Sequence, residues 1–149
     1  NHAARDNMAM AATLAGMAFS NSGVGIVHAL EYPIGALTHC SHGEGNGLLL
    51  PHVMRYNLSL RPDRFFRIAG LLGADVNGLS QAQGAELAVK RVVELQQQIG
   101  IRTRLSDLGL PREAIPKVAQ KAFEIKRLMD INPQTPTLGD LEAILLAAY

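Results

Sequence analysis

The chain has 149 residues, 14 of them basic and 13 acidic, with a formal net charge of +1. That balance gives no electrostatic case for a nucleic-acid or membrane partner, and three Tyr, four Phe and no Trp offer no series of base-stacking aromatics. A hydrophobic share of 48% with 18% charged residues is the composition of one folded domain rather than of a disordered segment, and no uninterrupted apolar run approaches the ~20 residues that span a bilayer.

Taken in chain order, almost every segment reads as helix. Residues Ala3 to Phe19 are rich in Ala, Met and Leu, all good helix formers, and Asn21-Ser22-Gly23 ends that run. A second apolar segment runs from Val24 to about Leu37, interrupted by Pro33. Ser41 is placed to cap a third helix that continues towards Tyr56, with a kink expected at Pro51. Pro62 suits the first turn of a helix through Leu72, which Gly73 stops. Ser80-Gln81-Ala82-Gln83 matches a capping box, and the helix it opens ends at Gly100. Its residues Ala85, Ala88, Val92, Leu95 and Ile99 recur every three or four positions and predict one buried stripe. Pro116 begins a helix expected to reach about Met129. Asn132 to Pro136 is a loop, and Thr137 caps a last helix ending near Ala148. No stretch alternates apolar and polar residues, so no sheet is expected. The fold class is all-α, with about seven helices.

The chain begins at Asn1, without Met and inside a helical pattern, so it reads as a piece of a longer protein. Its single cysteine, Cys40, excludes an internal disulfide and fits a reducing, cytoplasmic setting. It reads as an inert thiol, with a redox role as the alternative.

Four histidines, His28, His39, His42 and His52, fall within 25 residues of one another. Neutral imidazole is the commonest protein metal ligand. A lone histidine on a helix is nevertheless more often a packed or surface residue, and no His-Glu-x-x-His or Cys-x-x-Cys pair is present. Gly23-Val24-Gly25 and the run Gly43 to Gly47 have the look of phosphate loops. Neither follows a strand, so they read better as places of close helix packing or unusual backbone than as a dinucleotide fingerprint.

The order of these residues is more telling than their number. Ala15 to Gly35 reads AGMAFSNSGVGIVHALEYPIG, and His42 to Asn57 reads HGEGNGLLLPHVMRYN. These stretches resemble the signature of the iron-containing (group III) alcohol dehydrogenases, AGxAFSNxGxGxVHxxxxPxG followed by HGxxNxxLLPHVMxYN. The resemblance extends more loosely to the C-terminus. It implies residues 1–149 are a C-terminal helical metal-binding domain of the dehydroquinate synthase-like, iron-containing alcohol dehydrogenase type. The family's N-terminal nucleotide-binding domain is absent from this chain.

The resemblance also implies a chemistry. In that family one Asp and three His hold a divalent metal, iron or zinc, and two of those His correspond here to His28 and His42. Alcohol and aldehyde or ketone are interconverted with NAD or NADP bound by the missing domain. Phe19 and Val24 would border the substrate and nicotinamide. Many relatives carry a second His four residues after the first ligand, where this chain has Tyr32. His39 is a possible substitute for that residue or simply exposed, and His52 is expected to pack near Pro51. A homo-oligomer is expected, and the chain alone should be inactive. Two other readings stand beside this one: a helical interaction module that has lost catalysis, and a related enzyme of the glycerol dehydrogenase or maleylacetate reductase type. The FSNxGxG and LLPHVMxYN segments favour the alcohol dehydrogenase branch.

Overall fold

The computed structural model describes all 149 residues as an all-α protein without strands. Its eight α-helices are α1 (His2–Ser22), α2 (Ile26–Thr38), α3 (His42–Asn57), α4 (Pro62–Leu71), α5 (Gln81–Ile99), α6 (Ile115–Phe123), α7 (Lys126–Ile131) and α8 (Leu138–Ala147), with short 3-10 turns between some of them. Three helix starts follow the sequence signals. The Ser41 side chain accepts from the Glu44 N–H, and Ser80 with Gln83 and Thr137 with Asp140 form complete capping boxes.

Two expectations need correction. The helix expected from Pro116 to Met129 is two helices, which makes eight rather than seven. The chain leaves helical geometry at Ile125, with φ −84° and ψ 67°. Ile115, Val118, Ala119 and Ala122 form the buried stripe of α6. A continuous helix would carry Leu128 off that stripe, whereas the break turns both Leu128 and Met129 into the core. The stripe of α5 also fails in its second half. Ala85 and Ala88 are buried, but Leu95 and Ile99 are exposed and Gln96 is buried instead. The 19-residue α5 outruns the 10-residue α4 it packs against, so its last turns meet other neighbours. Both α2 and α3 continue past their prolines, Pro33 and Pro51, which are buried.

The core has two parts, and α3 belongs to both. Its Leu48, Leu49 and Val53 join residues of α2, α6, α7 and α8 in the main cluster, while Met54 meets Ala69, Ala88 and Val89 of α4 and α5. Polar ties fix α3 between them. Gln96 of α5 donates to the Gly47 carbonyl. Asn57, at the end of α3, and Asn132, after α7, exchange side-chain hydrogen bonds of 3.1 and 2.8 Å while buried.

The first helix is different. None of its residues is buried, and Met8, Met10, Leu14, Met17 and Phe19 are all more than half exposed. It is absent from the principal helix–helix packings. Gly23 ends it at φ 75° and ψ −178°, a backbone region essentially closed to residues with a Cβ, and the axis turns by 110° into α2. No single helix is long and apolar enough to cross a membrane.

Replacing Asn57 by Ala leaves Asn132 Oδ1 without its donor, while Nδ2 keeps the Gln134 carbonyl, and is expected to cost about 1–3 kcal/mol, read as a lower urea midpoint. The double Asn57→Ala, Asn132→Ala variant should cost less than the sum of the singles. Additive losses would show that the two amides do not depend on each other.

Candidate metal centre

The first turn of α2 carries His28, and Glu31 and Tyr32 follow at three and four residues, on the same helix face. The chain reverses between α2 and α3 through His39, whose positive φ of 55° makes it the left-handed cap of α2. His42 is then the first residue of α3. This arrangement brings the His28 and His42 rings to 5.3 Å between centroids, tilted by 54°. Tyr32 stacks on His42 at 6.1 Å and 19°.

The His42 ring is held from its other side by Glu31. Its Nδ1 lies 2.6 Å from Glu31 Oε2, and Glu31 is only 4% exposed. Asn46, one turn along α3, donates to the His42 carbonyl at 2.9 Å. Its amide nitrogen also stands 3.2 and 3.1 Å from the two ring nitrogens, so the amide lies against the imidazole face. Asn46 Oδ1 is buried without a partner. The carboxylate fits because two glycines make room for it. A Cβ on Gly35 would stand 2.7 Å from Glu31 Oε1, and one on Gly45 2.8 Å from Glu31 Cγ and 3.2 Å from Cys40 Sγ.

Of the residues singled out from sequence, the structure gathers His28, His42 and Tyr32. Val24 lines an apolar cavity of about 320 Å³ with Val27, His28, Asn46 and Leu50. Phe19 is not on that wall. His39 is exposed and shows only its backbone capping role. His52 lies elsewhere, half-buried, and with the exposed Arg55 lines two cavities of about 270 and 360 Å³. Sequence reasoning missed Glu31. The usable signal was its place one turn after His28, on a helix whose other inward residues are apolar. It also left Asn46 without a role, although Asn46 stands four residues after His42.

Tyr56 and Asn57, the last residues of the LLPHVMRYN stretch, belong to the scaffold. The Tyr56 hydroxyl donates to Asp140 Oδ2 of α8 at 3.3 Å. Burial first, and then the Asp140 charge, push the Tyr56 hydroxyl up to about 12. Hydrogen bonds from Thr137 hold the Asp140 carboxyl below its usual range.

No group of three or more His, Cys, Asp or Glu side chains is arranged to hold a metal ion. The chain therefore offers two converging imidazoles, a donor set that suits iron or zinc. With Nδ1 of His42 occupied by Glu31, its Nε2 is the nitrogen left for a ligand.

Comparison with known proteins identifies the family. The model of the Fe-containing alcohol dehydrogenase family, C-terminal part, matches residues 1–149. The chain belongs to that family. It is 44% identical over 149 residues to the 1,3-propanediol dehydrogenase of Citrobacter freundii, covering all of this chain and 38% of that protein. It is 37% identical over 142 residues to the NAD-dependent methanol dehydrogenase of Bacillus methanolicus, covering 95% of this chain and 37% of that protein. A crystal structure of a 1,3-propanediol oxidoreductase superposes with a TM-score of 0.96 at 40% identity, over all of this chain and 39% of that one. The chain thus spans less than two-fifths of the length of these relatives.

Burial pushes the His28 imidazole below the ordinary histidine value; His42 lowers it further and Glu31 opposes. Burial and then Arg55 lower His52. Both rings resist protonation when folded, so their contribution to stability is present above an ordinary pKa of about 6.5 and is lost as pH falls through their lower folded values. The urea midpoint of the metal-free chain should therefore drop between about pH 7.5 and about pH 5.5. The His52→Gln variant should show a shallower drop. A midpoint that is flat or rises towards acid would contradict these assignments.

Proposed function

We propose that this chain is the helical, metal-binding part of an enzyme that interconverts an alcohol and an aldehyde or ketone with NAD or NADP. The observation that carries the reading is the convergence of His28 and His42 beside an apolar cavity. The family match and a relative named as NAD-dependent support it. The coverage of 38% of a relative's length is consistent with a nucleotide-binding domain and further metal ligands in sequence outside these residues.

In this reading His28 and His42 are two ligands of a divalent iron or zinc. When bound, the metal supplies Lewis acidity towards the substrate oxygen, and the nicotinamide supplies the hydride donor or acceptor. The chain's own residues place and shield the reaction. Val24, Val27 and Leu50 form an apolar wall beside His28 that limits water. Tyr32 holds the His42 ring by stacking on it. Phe19, on the exposed α1, faces the substrate and nicotinamide only once the rest of the enzyme packs there, and exposed His39 stands nearby in sequence as a candidate proton carrier. A cytoplasmic location and a homo-oligomeric enzyme complete the proposal, the first supported by the free thiol of Cys40 and the second by the uncovered apolar side chains of α1.

That exposed helix should make the chain on its own self-associate, and light scattering showing a monomer at high concentration would count against it. Function is tested with a chimera that joins this chain to the preceding part of the Citrobacter freundii relative. The chain alone should show no nicotinamide-linked turnover with short alcohols, whereas the chimera should. His28→Ala or His42→Ala in the chimera should cost at least on the order of 100-fold in turnover and in metal affinity. Full activity in either variant would refute the ligand role given to that residue.

A further inference from the structure

We propose that Glu31 is the positioning residue of this centre: its buried carboxylate accepts the Nδ1–H of His42 and thereby leaves Nε2 as the nitrogen of that ring that would ligate the metal. The proposal rests on the reading of His28 and His42 as ligands.

Three observations carry it. The first is the contact itself, 2.6 Å from Oε2 to Nδ1, short as hydrogen bonds to an ionised acceptor are. His42 is the only hydrogen-bond partner of the Glu31 side chain. The second is the burial. A carboxylate that is 4% exposed is costly to place in a helical core unless a partner compensates it. The neighbouring inward residues of α2, Ala29, Leu30 and Ile34, are apolar, so packing alone does not call for a charge at this position. The third is the room reserved for it. Gly35, one turn along α2, and Gly45, in the first turn of α3, both lie where a Cβ would overlap the Glu31 side chain. Two glycines on different helices thus serve one carboxylate.

The consequence is a fixed tautomer. The hydrogen bond made by one imidazole nitrogen decides which nitrogen carries the proton and which is free to ligate. A ligating histidine whose other nitrogen donates to a carboxylate is also a more basic ligand in a fixed orientation. Tyr32 stacked on the ring and the Asn46 amide against its face restrict the remaining rotation.

The experiment uses the 149-residue chain, labelled with ¹⁵N, and zinc sulfate as the probe. Long-range ¹H–¹⁵N correlation spectra of the metal-free chain, recorded with the imidazoles neutral, read the tautomer of each ring. His42 is expected in the Nδ1–H form. Glu31→Gln, close to isosteric and able to fill the same cradle, should shift His42 towards the Nε2–H form while leaving the His28 tautomer unchanged. Zinc should move the His28 and His42 signals in the wild type, with affinity lowered about 10–100-fold in Glu31→Gln. A wild-type His42 in the Nε2–H form would overturn the proposal without needing any variant. Equal zinc affinity in wild type and Glu31→Gln would overturn the Glu31 role and leave the ligand assignment standing. Zinc that leaves both rings of the wild type untouched would remove the ligand assignment, and the positioning role with it.

Discussion

The approach of α2 to α3 turns on one buried carboxylate. Glu31 lies between the two helices, and the glycines that accommodate it sit one on each. If either glycine carried a side chain, the helices would have to separate or Glu31 would have to leave the interface. Separation would move His28 and His42 apart, because one is anchored in the first turn of α2 and the other at the start of α3. The 5.3 Å spacing of the imidazoles is therefore a property of the helix–helix packing and not of either helix alone.

That packing needs a rigid support, and α3 supplies it by belonging to both parts of the core. Three polar contacts hold it: Gln96 on the Gly47 carbonyl, Tyr56 on Asp140, and the Asn57–Asn132 amide pair. Each of the groups that donates or accepts here is partly or wholly removed from water, so each would be costly to leave unpaired. Much of the dense sequence signature is explained by this. Tyr56 and Asn57 do not approach the histidines; they tie the carrying helix to α8 and to the segment after α7.

The uneven distribution of burial matches the share of the family fold that the chain represents. From α2 onwards the helices bury a continuous interior, whereas α1 leaves Met8, Met10, Leu14, Met17 and Phe19 in solvent. The buried interior begins at Ile26, just after the turn through Gly23. Two converging imidazoles in a chain that also carries an uncovered apolar helix suit the proposal that a second body of protein completes the site.

The helical class and most helix starts were legible in the sequence, because Ser41, Ser80 and Thr137 act on their own local backbone and proline and glycine restrict it directly. His28 and His42 were legible only through their resemblance to a family pattern, since spacing along the chain does not say which helix faces meet. What tertiary structure alone decided is of another kind. The break at Ile125 has no proline or glycine to announce it and arises from turning Leu128 into the core. Leu95 and Ile99 follow a buried periodicity yet face solvent, because the neighbouring helix is too short to cover them. Glu31 looks like a surface residue by type. Its burial, its room beside Gly45 and its contact with His42, 11 positions away in the chain, exist only once α2 and α3 are brought face to face, since a side chain's environment is set by what packs against it and not by its own chemistry.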